Sequence, residues 1–374
     1  MALPQLLVDA SSPEIRARTG LTAPDVFLYL RDAAGNDSAY FDAREYGVQQ
    51  ERLKALGSTL NLIKLEPYLE KAESIDVPAT QQQRALIAIL REQGTKELAV
   101  SAALPYGWAT ALQAAGIVLS IHDFAREQRH KTEQQLGFMD KAQRVTEGAY
   151  DLVRKILADS TIEGSKIIHN GKPLTSEWVK AQVQLYFIER NFSNPHGMIV
   201  ASGEQAARPH DDGHGELLAN STIIVDIFPM DNVTGYYADM TRTYVKGTPS
   251  ADALAIHTAV QEVQKIVLDQ IQVGSVCGDI YALTVEEFKK RGFESGSEKG
   301  FMHRTGHGLG LSVHEDPSLG KGWKDTMEPG MVTTVEPGLY YPGIGGSRIE
   351  DVVVFHQDGR KENITRYPSD LIIP

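Results

Sequence analysis

The sequence predicts an α+β protein, with an antiparallel sheet carrying helices on one face, preceded by a smaller α/β domain. Three observations predict it. From about residue 220 onward, the runs TIIVDIF, GYYADMTRTYV, MVTTVEPG and SRIEDVVVF are strand-length and rich in β-branched and aromatic residues. Two helical patterns separate the first pair of runs from the second, and this order hints at an internal pseudo-twofold. A chain of 374 residues is also too long for one ordinary core, so two domains are expected.

Residues 1–130 read as the α/β unit. VFLYL (26–30) and LAVSAA (98–103) have the character of strands, IKLEPYLEKA and TQQQRALIAILREQG that of helices, and DAAGNDSAYF supplies turn residues between two strands. This part holds no glycine-rich phosphate loop, no paired acids and no His/Cys cluster, which suits a scaffold or lid. The stretch AREQRHKTEQQLGFMDKAQRVTEGAYDLVRKIL begins a long amphipathic helix, and the second domain is expected to run from 131 to 374. Within it, ADALAIHTAVQEVQKIVLDQI is a helix closed by Gly274. DIYALTVEEFKKRGF is another, with basic residues in its last turn.

The composition is 42% hydrophobic and 23% charged, with a net charge of -12. That charge argues against nucleic acid or anionic membrane as a partner. No run is long and apolar enough to span a bilayer, and MALPQLLVDASSPEIR lacks a basic, signal-like start, so a cytoplasmic protein is expected. The single cysteine, Cys277, excludes an intrachain disulfide framework.

Five side chains carry the chemistry: Asp226, Asp239, His307, Glu336 and Glu350. Four carboxylates and one imidazole form a hard-ligand set suited to two divalent cations. Asp226 and Asp239 are 13 positions apart across MDNVTG, and a hairpin of that length is expected to set them opposite each other. Glu336 and Glu350 repeat the arrangement 14 apart across YPGIGGS, and His307 arrives on a glycine-flanked loop. Converging carboxylates repel and take up protons unless compensated, and two divalent ions would cancel four negative charges. Hydrolysis is the natural chemistry of such a site. His314, seven residues after His307, and His210, directly after a proline, could bind a carbonyl oxygen or steady an oxyanion. Hydrogen bonds to loop backbone are the alternative for both. His303 and His214 have weaker claims.

GHGLGLSVHEDP, VEPGLYYPGIGGSRIEDVV and VDIF…GYYADMTRT resemble the motifs of the pita-bread metallopeptidases, in order, over roughly residues 131–374. That family includes methionine aminopeptidases, aminopeptidase P and prolidase, with the non-metal creatinase. The preceding α/β domain resembles the creatinase, prolidase and aminopeptidase P branch. The resemblance implies that Asp226 chelates one metal, that Asp239 and Glu350 bridge the pair, and that His307 and Glu336 complete the other shell. It also implies proton shuttling by Glu336, substrate or intermediate contacts by His210 and His314, and an ordering role for Arg348. Arg348 would then either meet a substrate carboxylate or salt-bridge to a ligand acid. One departure is the longer turn IFPMDNVTG after Asp226, which keeps the two aspartates in phase only through a bulge or wider loop. The implied activity is a two-metal Xaa-Pro dipeptidase, with Mn²⁺ favoured and Co²⁺, Zn²⁺ or Fe²⁺ compatible, acting as a homodimer. An Xaa-Pro aminopeptidase of longer peptides, a small-amide C–N hydrolase and a non-catalytic binding protein are the alternatives.

Overall fold

The computed structural model describes residues 3–374 and divides into two compact units, one ending at Gln128 and the other beginning at Arg129. The first is a six-stranded mixed sheet in the order Asn61–Lys64, Asp37–Phe41, Phe27–Arg31, Gln5–Asp9, Glu97–Val100, Val118–Ile121. Strand alternation gives it two apolar faces. Leu6, Val8, Leu28 and Leu30 pack with the helix Gln81–Glu92 on one side, whereas Leu7, Phe27, Tyr29 and Phe41 pack with Ile15 and Leu53 on the other. That helix starts with a capping box between Thr80 and Gln83. IKLEPYLEKA is not wholly helical: Ile63 and Lys64 end a strand, and the helix spans only Glu66–Lys71, with Pro67 in its first turn.

In the second unit, two helices and then three strands occur twice. Helices Glu133–Ala158 and Ser176–Ile188 precede the antiparallel strands Met198–Ser202, Ile223–Ile227 and Met240–Lys246. Helices Ala251–Gln270 and Cys277–Lys290 precede His307–Gly308, Val332–Val335 and Asp351–Phe355, also antiparallel neighbours. In each half the helices cover one face. Ile223, Val225, Ile227 and Met240 pack on the first helix pair, and Val335, Val353 and Phe355 on the second. Residues of opposite parity, Asp226 and Thr241 in one half and Thr334 and Val352 in the other, lie on the uncovered face. Among the described residues, no helix is long and apolar enough to cross a membrane.

Further runs differ in extent from their sequence reading. The long amphipathic helix begins only at Glu133, after a separate turn Phe124–Glu127, because Thr132 and Gln135 form a capping box. GYYADMTRTYV is ladder strand only from Met240. Pro229 has no N–H to return the bond it accepts from Ala238, and Tyr237 donates instead to Gly310. SRIEDVVVF breaks at Ile349–Glu350, where the Glu350 N–H turns to the Thr241 carbonyl of the other half.

Arg242, 1% exposed, pins the two halves together from the helix-covered side. Its guanidinium donates to the carbonyls of Thr241, Glu350, Tyr367 and Pro368 and to Asp351 Oδ1, at 2.8–2.9 Å. All of its N–H donors are thereby used. Replacing it with Met leaves Asp351 buried without its cation. The expected cost is about 3–5 kcal/mol of unfolding free energy, measured by urea denaturation.

Candidate metal centre

The first two acids come from the strand pair Ile223–Ile227 and Met240–Lys246. Their register sets Asp226 opposite Thr241, not opposite Asp239, and the last pair is Ile227–Met240. Asp239 sits just past that end. It lies two residues before Thr241, one full strand period, so its side chain returns to the Asp226 face. The extra length of the IFPMDNVTG turn is absorbed by the short strand Met230–Asp231 and the turn beyond it. Gln143, fully buried on the long helix, fixes Asp239 by bonding both its carbonyl (3.2 Å) and its N–H (3.4 Å).

The second hairpin carries Glu336 and Glu350 directly across from each other. Val335 pairs with Asp351 below them and Gly338 with Arg348 above, in one continuous register. Glu336 N–H bonds Thr305 O (2.8 Å), and Glu350 N–H bonds Thr241 O (3.1 Å). The Thr241 hydroxyl donates to Glu350 Oε2 at 2.7 Å. His307 reaches the same place because its flanking glycines admit close strand approach. A Cβ on Gly306 would lie 1.9 Å from the Thr334 carbonyl oxygen, and one on Gly308 2.5 Å from that of Asp316.

His307 Nε2 lies 3.5 Å from Glu336 Oε1, 3.7 Å from Asp239 Oδ2 and 3.9 Å from Glu350 Oε1. Ligand atoms of Asp239, His307 and Glu350 all fall within 4.8 Å of one another. Nδ1 of His307 faces the Gly308 carbonyl at 3.0 Å and must donate to it, so in the neutral ring Nε2 presents a lone pair to the acids. Burial, with His314 and Arg304 adding to it, holds His307 down to about 3. Burial and then like-charge neighbours push Asp239 and Glu350 well above the ordinary carboxylate range, and burial lifts Glu336 to about 7. Asp226 Oδ1 and Glu350 Oε1 are buried with no hydrogen-bond partner. Lone pairs converging with no donor among them are what a cation site requires, and the donor set fits divalent metal.

Arg348, 3% exposed, organises the wall of this centre. It donates to Asp226 Oδ2 (2.6 Å), Thr241 Oγ1 (3.2 Å), the Pro209 carbonyl (3.2 Å) and the Tyr340 hydroxyl (2.6 Å). Of its two sequence-based readings, the geometry realises the salt bridge to a ligand acid and leaves little of the guanidinium for substrate. Its bond to Pro209 also fixes the residue before His210. His210 and His314 are exposed, and neither ring has a hydrogen-bond partner among the described residues. The His314 ring meets His307 edge-on, 4.4 Å between centroids.

Sequence reasoning left out His303. Its Nδ1 donates to the Arg304 carbonyl (2.7 Å), Nε2 accepts from the Tyr340 hydroxyl (2.9 Å), and it stands 4.0 Å from Glu336 Oε2. The signal was its place four residues before His307 in one loop, matched by Tyr340 four residues after Glu336. Tyr340 itself is fully buried and braces Arg348 and His303.

The profile of metallopeptidase family M24 matches residues 137–357, more than half of the chain. The chain belongs to metallopeptidase family M24. Among curated M24-like relatives, the "Probable dipeptidase PepE" of Mycobacterium tuberculosis is 34% identical over 199 residues, 52% of this chain and 51% of that protein. The match thus spans about half the length of that relative. The Xaa-Pro dipeptidase of Pyrococcus horikoshii is 28% identical over 322 residues, 84% of this chain and 86% of its own. The solved structure of an Xaa-Pro dipeptidase from Bacillus anthracis superposes with a TM-score of 0.81 at 24% identity, covering 99% of this chain and 95% of that one. It shares the two-part pita-bread architecture expected from the motifs.

The raised carboxyls of this M24 chain set a proton count. Protons held by Asp239, Glu350 and Glu336 must leave when a cation enters, whereas the already neutral His307 gives none up. Calorimetric titration of metal-free protein with Mn²⁺ at pH 6, in buffers of different ionisation enthalpy, is expected to show net proton release. It is also expected to show affinity rising as pH passes about 7, where Glu336 ionises. Binding without proton release contradicts the shifted carboxyls.

Proposed function

We propose that this M24 protein is an Xaa-Pro dipeptidase holding two divalent ions per chain, Mn²⁺ first among them. Asp226, Asp239, His307, Glu336 and Glu350 are the residues that would hold them. The observation that carries the reading is the buried cluster of carboxylates around the His307 Nε2 lone pair. The substrate class draws support from the Pyrococcus horikoshii relative, named an Xaa-Pro dipeptidase and aligned over most of both chains.

What such ions supply when bound is a polarised carbonyl and a water acidified toward neutrality. Glu336, close to neutral in its proton affinity, is placed to accept a proton from the attacking water and return it to the departing proline nitrogen. His314 and His210, whose rings have no hydrogen-bond partner among the described residues, would donate to the developing oxyanion. Arg348 holds the Asp226 carboxylate in place through its bond to Oδ2. The first unit serves as the scaffold domain of the creatinase and prolidase branch. The same resemblance supports a homodimer in the cytoplasm, and light scattering showing a stable, active monomer would contradict the dimer.

The test is kcat/KM for Ala-Pro, Ala-Pro-Ala and Ala-Ala at equal Mn²⁺ loading. Ala-Pro is expected to be fastest, and chelation to abolish the activity until metal is restored. Equal rates on Ala-Ala end the proline claim, and faster cleavage of Ala-Pro-Ala makes the enzyme an aminopeptidase. Glu336→Gln keeps an oxygen ligand but removes the proton carrier, so kcat is expected to fall about 10²–10⁴-fold.

A further inference from the structure

A buried lysine and a glutamate hold the loop that ends at His314, and neither has a part in the chemistry described above. Lys131 is 3% exposed, and its Nζ donates to Glu315 Oε2 at 2.6 Å. The other oxygen of that carboxylate accepts the Leu311 N–H (2.7 Å) and the Ser312 N–H (3.1 Å). Glu315 thereby closes the loop 311–314 on itself. The fit leaves no room at Gly310, where a Cβ would lie 2.6 and 2.7 Å from the two carboxylate oxygens and 2.8 Å from Lys131 Cε. Lys131 is itself fixed at the backbone: its N–H bonds the Gly330 carbonyl, and its carbonyl accepts from Gln357 Nε2, both at 2.7 Å. Gly330 and Gln357 flank the strand pair Val332–Val335 and Asp351–Phe355, at the end away from Glu336 and Glu350. The lysine thus ties the His314 loop to the ladder that carries two of the acids.

An ion pair this deep adds little net stability over an apolar pair of the same volume, because desolvation offsets the attraction. Its geometric consequence is definite, since three donors converging on one carboxylate admit a single loop conformation. The His314 ring depends on that conformation. It is exposed, has no hydrogen-bond partner among the described residues, and meets His307 edge-on, so its loop backbone decides where it stands. We propose that Lys131 is a positioning residue for the reaction, acting through Glu315 to keep the His314 ring beside the metal centre. This rests on the reading of His314 as an oxyanion donor given above. Lys131 itself touches no reacting atom.

The test is a double-mutant cycle on Ala-Pro hydrolysis, with Lys131→Met made in the wild type and in His314→Ala, both Mn²⁺-loaded. Lys131→Met is expected to lower kcat about 10- to 100-fold with little change in KM and the same Mn²⁺ content by elemental analysis. In the His314→Ala background the same substitution is expected to change kcat by less than about twofold, because the group it positions is gone. Lys131→Arg, which keeps a cation, is expected to recover part of the loss. Should Lys131→Met not fold, Glu315→Gln, which keeps an oxygen for the two N–H bonds and loses the ion pair, takes its place in the cycle. A readout independent of turnover is the nuclear magnetic resonance signal of the His314 ring in Zn²⁺-loaded, histidine-labelled protein, assigned by its loss in His314→Ala. It is expected to shift or broaden in Lys131→Met. Equal losses of kcat in both backgrounds, or a loss that follows lost Mn²⁺, overturn the positioning role and leave the dipeptidase reading in place. An unchanged His314 signal overturns it whether or not Ala-Pro is cleaved. Full turnover in His314→Ala overturns this inference together with the oxyanion role assigned to that histidine.

Discussion

Four carboxyl groups brought onto one water-poor face repel one another, and the rest of the second unit is arranged around that repulsion. Asp226, Asp239 and Glu350 are 8%, 3% and 2% exposed, and among the described residues the permanent cation bonded to one of them is Arg348, at the edge. Left alone, such a cluster holds protons that water would remove, which is the direction seen for Asp239, Glu336 and Glu350. Divalent ions relieve the repulsion at its source. The same burial makes the site reactive, because charges act more strongly where water is excluded.

Holding the acids together against that force requires the two halves of the unit to be fastened, and two arginines do so from opposite faces. Arg242, on the first half, reaches across to Asp351 and the Glu350 carbonyl on the helix-covered side. Arg348, on the second half, reaches back to Asp226 and Thr241 on the open side. Between them, Thr241 and Glu350 exchange a backbone and a side-chain bond. The fastening is reciprocal, as the repeated order of helices and strands suggests it would be. Arg348 then extends the effect outward, through Tyr340 to His303 and through Pro209 to the residue preceding His210.

The acids were legible in the sequence because each stands in a short strand or glycine-rich run whose period can be counted. Their face follows from parity alone, and for Glu336 and Glu350 so does their pairing. Asp239 was harder. The hairpin length suggested that it faces Asp226, but Pro229 cannot sustain the ladder, and the two acids end up offset by one strand period. His303 and Tyr340 left only the signal of standing four positions from His307 and Glu336, since the hydrogen bonds that give them their roles join separate segments of the chain.

The central claim is that this cluster exists to hold two divalent cations. Elemental analysis of protein equilibrated with Mn²⁺ and freed of unbound ion, with electron paramagnetic resonance on the same sample, tests it most directly. The account predicts two Mn²⁺ per chain with a spin-coupled spectrum in the wild type, and loss of that coupling in Asp239→Ala. A single uncoupled ion at saturating Mn²⁺, or an Asp239→Ala variant with an unaltered coupled pair, would contradict it.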